Sequence, residues 1–266
     1  VVVLVAGVMV VGSFGPRPGQ VFIERSFYGT HRVIALPPLF IELTHGTTTH
    51  GRQFYDYVTQ QPSRPEEPLT YYHRTGPLGD VIDAIERRPR RFALVGMGAA
   101  STAAYLDAST GGSYFEIDPT VIRLANDSPY FSYLPAARAR GAAVEIVQGD
   151  ARLTLAGHAG EPFDLIVLDA FSGDAIPVHL LTLEAMRGYA KKLAPDGVVA
   201  IHISNRYLDL RPIVARLGAE LGWAVLIRGD NDRSAPGKLP SLWVAMGPAG
   251  PSLEALRARE GWTDLA

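Results

Sequence analysis

The part of the chain that most restricts its fold begins at Phe92. From there, short continuous apolar runs alternate with stretches of helical period. The runs are FALVGMG (92–98), SYFEID (113–118), AVEIVQGD (143–150), FDLIVLDAF (163–171), VVAIHIS (198–204), AVLIR (224–228) and SLWVAMG (241–247). Strands buried on both faces read this way, because neither side of the pleat meets water. The segments between them space their apolar residues as helices do, as in HLLTLEAMRGYAKKL at 179–193. Alternating strands and helices predict an α/β fold with a doubly wound parallel sheet. Ligand sites in such sheets lie outside the carboxyl ends of the strands.

Upstream, the grammar differs. Residues 20–55 contain two β-rich runs, VFIERSFYGTHRVIAL and LFIELTHGTTTHGRQF, broken at Pro37-Pro38. They predict a small antiparallel β region. Residues 56–70 are polar and proline-rich and predict a loop, and GDVIDAIE at 79–86 predicts a helix. The expected organisation is therefore an apolar segment at 1–15, a β region at 20–70, a nucleotide-binding domain at 78–250, and a C-terminal tail or helix at 251–266.

The opening VVVLVAGVMVV carries no charge and no period. It is shorter than the roughly 20 apolar residues a membrane span needs, and it lacks the basic start of a signal peptide. Two readings fit: a buried apolar strand, or the end of a membrane helix that would attach the protein at a cytoplasmic face. The chain has 266 residues, 47% of them hydrophobic, and a formal net charge of −2. That charge argues against nucleic acid as a partner, which needs a basic surplus. There is no cysteine, so disulfides, thiolate metal sites and cysteine nucleophiles are excluded. The seven histidines form no HExxH or similar spacing, and His45 and His50 alone do not make a metal site. No metal is expected.

Chemistry-bearing residues gather at the strand ends. The first strand runs into Gly96-Met97-Gly98-Ala99-Ala100-Ser101. Its glycines would let backbone approach a ligand closely, or would simply make a tight turn. The second ends in Glu116-Ile117-Asp118, where a carboxylate can accept hydrogen bonds from ribose hydroxyls; Asp118 before Pro119 also suits a helix cap. The third ends in Gly149-Asp150, with Asp150 an adenine acceptor or another cap. The fourth ends in Asp169-Ala170-Phe171-Ser172-Gly173-Asp174. There Asp169 and Asp174 could bind or deprotonate a cation, though Asp174 also reads as a plain loop residue. His202 reads as core or as site wall, Arg206 and Tyr207 as substrate contacts, and Lys238 as a solvated loop residue.

These motifs, in this order and spacing, resemble the spermidine synthase (polyamine aminopropyltransferase) family from about Val21 to Gly247. The stretches that carry the resemblance are Tyr72-His73, Pro77-Leu78, Gly96-Met97-Gly98, Glu116-Ile117-Asp118, Gly149-Asp150 and the Asp169 loop. The tracts His179-Leu180-Leu181-Thr182 and His202 to Tyr207 resemble the branch often fused to membrane transporter domains. The resemblance implies a Rossmann-like, class I methyltransferase-type sheet with a small N-terminal antiparallel β region. It implies S-adenosylmethionine or its decarboxylated form as substrate, a small amine as co-substrate, release of methylthioadenosine, and homo-oligomers.

It also implies roles for particular residues. Glu116 would hold the ribose, Asp150 the adenine amine, and Gln53 would lie near the nucleotide. Asp169 would be the catalytic carboxylate, with Tyr72, His73 and Asp174 assisting. The chain departs from the family at His45-Gly46, where an Asp-Gly is usual, at Thr70-Tyr71, where an Asp-Glu pair is usual, and in the Asp169 loop. The missing acids serve amine binding in the family. A methyltransferase, an intramolecular sulfonium-cleaving enzyme and a non-catalytic nucleotide sensor are therefore the alternatives on the same scaffold. An NAD-dependent oxidoreductase fits less well, because the glycine motif is incomplete.

Overall fold

The structure is a computed structural model that describes residues 18–86, 88–171, 176–204 and 208–265. The apolar opening segment, Asp174, Arg206 and Tyr207 lie outside the described residues. Within them, no helix is long and apolar enough to cross a membrane.

Five strands form the N-terminal sheet in sequential order: β1 (Gln20–Arg25), β2 (Thr30–Leu36), β3 (Phe40–His45), β4 (Thr48–Asp56) and β5 (Gln61–Ser63). Each pairs antiparallel with its neighbour. The segment expected to be loop at 56–70 thus contributes an edge strand, β5, with Pro62 opposite Tyr55. Proline is tolerated at such an edge because its missing N–H faces away from the ladder.

The second sheet has eight strands in the order β13-β11-β12-β10-β9-β6-β7-β8. They are β6 (Arg90–Val95), β7 (Thr110–Glu116), β8 (Val144–Gln148), β9 (Phe163–Leu168), β10 (Leu193–His202), β11 (Ala224–Asp230), β12 (Ser241–Gly247) and β13 (Thr263–Asp264). Strands β6 to β10 are parallel. Among the described residues, seven helices accompany them: α1 (Pro77–Ala84), α2 (Pro119–Asn126), α3 (Tyr133–Ala139), α4 (Ala151–Gly157), α5 (Leu183–Ala190), α6 (Arg211–Leu221) and α7 (Pro251–Arg257). This is the Rossmann-like sheet of the class I methyltransferase type. Its order reverses between β6 and β9, and that is where a crevice opens in such sheets.

Alternation along each central strand explains the continuous apolar runs. Phe92 and Leu94 of β6, with Leu165 and Val167 of β9, belong to one core. Ala93 and Val95, with Ile166 and Leu168, belong to the core on the opposite face. The first core packs against α1, α2, α3 and α7, the second against α4, α5 and α6. Both faces are dry, so both sets of positions are apolar.

The structure departs from an all-parallel sheet at its last strands. β12 runs antiparallel to both β10 and β11, and β13 antiparallel to β11. Only residues 231–240 separate β11 from β12, too few for a helical crossover, so the chain folds back instead. The C-terminal stretch expected as tail or helix forms α7 and then the edge strand β13. The helix expected at 179–193 is divided. Residues Val178–Leu181 make a 3₁₀ turn, and α5 begins after Thr182, whose side chain accepts the Ala185 N–H. A threonine able to cap the helix breaks the longer one.

The two sheets are clamped by polar contacts. Gln53 of β4 is fully buried; its Oε1 accepts the Ser132 N–H at 2.9 Å and its Nε2 donates to Ser132 Oγ at 2.7 Å. Tyr133 Oη donates to the Arg52 carbonyl at 2.8 Å. Gln53 therefore fixes the start of α3 and does not reach the cavity described below. Replacing Gln53 by Ala leaves a buried N–H unsatisfied, at a cost of about 1–3 kcal/mol. Melting should fall by about 2–4 °C per kcal/mol, while affinity for an adenosyl ligand, measured by calorimetry, should stay within a factor of about two.

Candidate active site

The glycine loop after β6 is built by close approach. Gly96 has φ +87° and Gly98 φ +51°. A Cβ on Gly96 would lie 2.5 Å from the Asp169 carbonyl, and one on Gly98 2.0 Å from the His50 carbonyl. The loop is thus wedged between the end of β9 and strand β4, and the Ala99 N–H donates to the His50 carbonyl at 2.9 Å. A short 3₁₀ turn, Ser101–Tyr105, follows.

Each of the next strands ends in an acid. Glu116 is buried; its Oε2 accepts the Met97 N–H and its Oε1 the Asp118 N–H, both at 2.9 Å. Burial pushes its carboxyl above the usual carboxylate range, although these backbone donors oppose the shift. Asp150 accepts the Arg152 N–H at 2.9 Å and so caps α4, and its Oδ2 lies 3.7 Å from His179 Nε2. Asp169 takes the His202 imidazole on one oxygen, Nδ1 to Oδ1 at 2.7 Å, and the Tyr72 hydroxyl on the other. Burial and the Asp169 charge hold the Tyr72 phenol far above its ordinary range, so it stays a donor.

Asp118 is a joint. Its Oδ1 accepts the Thr120 N–H at 2.8 Å, capping α2, and its Oδ2 meets Ser26 Oγ and, at 2.7 Å, His31 Nε2. Burial opposes its ionisation, but the donors Ser26, Thr120 and His31 together hold its carboxyl below the usual range. Both oxygens are engaged by protein, so the cap reading describes its bonds.

These ends enclose a cavity of about 300 Å³, at the lower limit of small-molecule sites. Gly96, Gly98, Glu116, Gly149, Asp150 and Asp169 line its floor. Tyr28, His31, His45 and His50 of the N-terminal sheet form its opposite wall. A second cavity of about 840 Å³ lies alongside, sharing His50 and Phe171 with the first and lined further by Tyr71, His202, Asp209 and Asn231. The His202 ring is stacked between Tyr71 and Trp243, with centroids 4.2 and 4.7 Å away.

The structure thus gathers Gly96, Gly98, Glu116, Asp118, Gly149, Asp150 and Asp169 around one cavity, with Tyr72 one hydrogen bond away. Gln53 and His73 are not brought there. His73 instead lies 3.0 Å from Thr75, which accepts from Lys238 at 3.1 Å. Lys238, expected in solvent, is buried and paired with Asp230 at 3.0 Å and Asp232 at 2.8 Å. Sequence reasoning missed His31, Tyr28 and His179. His31 sits in an alternating β run, THRVIAL, but nothing local says which face that run turns toward the second sheet. Among the described residues, no group of three His, Asp or Glu side chains is arranged to hold a metal ion.

A Gly98→Ala variant tests the loop. A side chain in the left-handed region costs about 1–2 kcal/mol, and the His50 carbonyl would have to move. The expected result is a lower melting temperature together with loss of adenosyl-ligand binding by calorimetry; unchanged binding would refute the close-approach account.

No family model matches the sequence. A polyamine aminopropyltransferase from Vibrio vulnificus is 34% identical over 117 residues, which is 42% of this chain and 37% of that protein. The chain therefore spans little more than a third of that relative's length. A probable spermidine synthase from Corynebacterium glutamicum superposes with TM-score 0.63 at 17% identity, covering 94% of this chain and 91% of that one. A spermidine synthase in complex with the transition-state analogue AdoDATO gives TM-score 0.62 at 16% identity, covering 93% and 79%. In fold over nearly its whole length, and in sequence over the matched segment, the chain resembles the polyamine aminopropyltransferases and spermidine synthases.

Proposed function

We propose that the protein is an aminopropyltransferase that moves the aminopropyl group of decarboxylated S-adenosylmethionine to a small amine and releases methylthioadenosine. The observation that carries this reading is the convergence of Glu116, Asp150 and Asp169 with the Gly96–Gly98 loop on one cavity. In this assignment Glu116 accepts from the ribose hydroxyls and Asp150 from the adenine amine. The glycine loop lets backbone lie against the nucleoside, and Asp169 sits beside the reacting centre, oriented by Tyr72.

The charge of the cavity bears on the donor. Its described ionisable lining consists of carboxylates, histidines and Tyr28, without lysine or arginine. A cationic sulfonium is matched there, whereas an additional carboxylate on the donor would find no fixed cation. The decarboxylated donor is therefore favoured over S-adenosylmethionine.

The chemistry needs no covalent enzyme intermediate. The amine nitrogen attacks the methylene next to the sulfonium, the C–N bond forms, and the C–S bond breaks with its electron pair staying on sulfur. The incoming amine, with a pKa of about 10.4 when free, arrives protonated and must lose a proton first. Holding it in line within the second cavity removes much of the entropic barrier, about 7–11 kcal/mol in favourable cases.

One observation favours a second reading, sulfonium cleavage without an external acceptor. Asp209 is the one carboxylate among the described residues lining the second cavity, and Arg211 already holds it at 2.7 and 2.8 Å. A diamine's far ammonium would then rest on neutral oxygens. Mass spectrometry of products, with either donor and with or without a diamine panel, separates the readings. Methylthioadenosine that requires both decarboxylated donor and amine is expected. Its release from donor alone would establish cleavage, and S-adenosylhomocysteine would establish methyl transfer.

Glu116→Gln should weaken donor binding by about tenfold or more, since a hydrogen bond to a charged group contributes about 1.5–3 kcal/mol and the new amide N–H would oppose a backbone donor. Calorimetric affinity checks this; a wild-type affinity would remove Glu116 from the nucleoside site.

A further inference from the structure

The transfer reading leaves open where the acceptor's proton goes. Asp169 is poorly arranged to keep it. Its two oxygens already accept from Tyr72 Oη and His202 Nδ1. A protonated Asp169 would carry an O–H that needs an acceptor, so Tyr72 or His202 would have to turn from donor to acceptor.

His202 is arranged differently. It closes the end of β10 and is only 4% exposed. Its Nδ1 is 2.7 Å from Asp169, so the tautomer that satisfies the carboxylate carries its hydrogen on Nδ1. That leaves a lone pair on Nε2, which is buried and has no hydrogen-bond partner among the described residues. A buried polar atom with no partner is costly unless something else uses it. His202 is also one of the residues lining the second cavity. Stacking between Tyr71 and Trp243 fixes the plane of the ring, and Phe171 meets its edge with centroids 5.3 Å apart.

We propose that His202 is the general base of the reaction, that Asp169 sets its tautomer and balances its charge, and that the acceptor amine occupies the second cavity. This rests on the transfer reading and deepens it. The acceptor ammonium loses a proton to Nε2, the free amine attacks the methylene, and the C–S electron pair leaves with methylthioadenosine. The imidazolium is held by Asp169 until the proton passes to water. The groups packed around the ring are Asp169 from the end of β9 and Tyr71 from the segment before α1, with Tyr72 on the far oxygen of Asp169 and with His50 of β4, Asp209 and Arg211 sharing the cavity wall. Burial and the Asp169 charge hold both tyrosines far above the ordinary phenol range, so neither competes as a base near neutral pH.

The test compares wild type with His202→Asn, whose side-chain amide can still donate to Asp169 but offers no basic nitrogen. Turnover of decarboxylated donor with the preferred amine should fall by about 10²–10⁴-fold, the usual worth of a positioned base. Donor affinity should be unchanged, and the acid limb of the kcat/KM profile should disappear. Asp169→Asn should also lose turnover by favouring the wrong tautomer. On unmodified protein, ¹⁵N resonances of the neutral His202 ring should show the hydrogen on Nδ1 and none on Nε2, a readout that does not depend on how the variants fold. An Nε2–H ring, or a His202→Asn enzyme within about threefold of wild type with its acid limb intact, would overturn the base assignment while leaving the transfer reading standing. A wild type that forms product from no donor–amine pair would overturn the transfer reading and the base assignment with it.

Discussion

The buried carboxylate of Asp118 is where the two sheets meet, and the cavity depends on that junction. One oxygen starts helix α2 from the end of β7; the other is held by His31 and Ser26 from the N-terminal sheet. Glu24 reinforces the same seam by accepting from Thr120 and Arg123 of α2. Without this seam the strand ends would open to solvent on one side. With it, Tyr28, His31, His45 and His50 roof the crevice above the glycine loop. The open sheet supplies the crevice and the small sheet supplies its lid, so neither alone makes an enclosed site.

Within that enclosure, charge and hydrogen bonding divide the work. Glu116 is fixed by two backbone N–H groups, Asp150 by a helix start, and Asp169 by a phenol and an imidazole. Three acids of similar sequence context thereby acquire three different environments. Glu116 is rigid and buried, Asp150 is partly open to the cavity, and Asp169 belongs to a polar chain that continues through His202 into the second cavity. Preorganisation of this kind lets a site act on developing charge without rearranging during reaction.

The chain of Tyr72, Asp169 and His202 comes from three distant parts of the sequence: the segment before α1, the end of β9 and the end of β10. Each was noticeable locally. Asp169 stood at a strand end, His202 interrupted an apolar run, and Tyr72 carried the family resemblance. Their connection was not legible, because it depends on β9 and β10 being adjacent and in register, with Ile201 opposite Leu168. Tyr72 and His73 are neighbours in sequence, yet they diverge: one reaches Asp169, the other faces the Lys238 cluster. Gln53 was misplaced for a related reason. Its alternation on β4 put it on the buried face, but only packing against α3 made that face a clamp rather than a site wall.

The sequence by itself determined the class of fold and the floor of the site. Continuous apolar runs require a sheet covered on both faces, and glycines and acids at successive strand ends must converge in such a sheet, since all parallel strands end on one side. Only the tertiary structure decided what closes the site and how its groups are joined. That β12 inserts antiparallel, that His31 meets Asp118 and that His202 meets Asp169 all depend on contacts between residues far apart in the chain. Local periodicity carries the direction of a side chain relative to its own strand or helix, and carries nothing about what stands opposite.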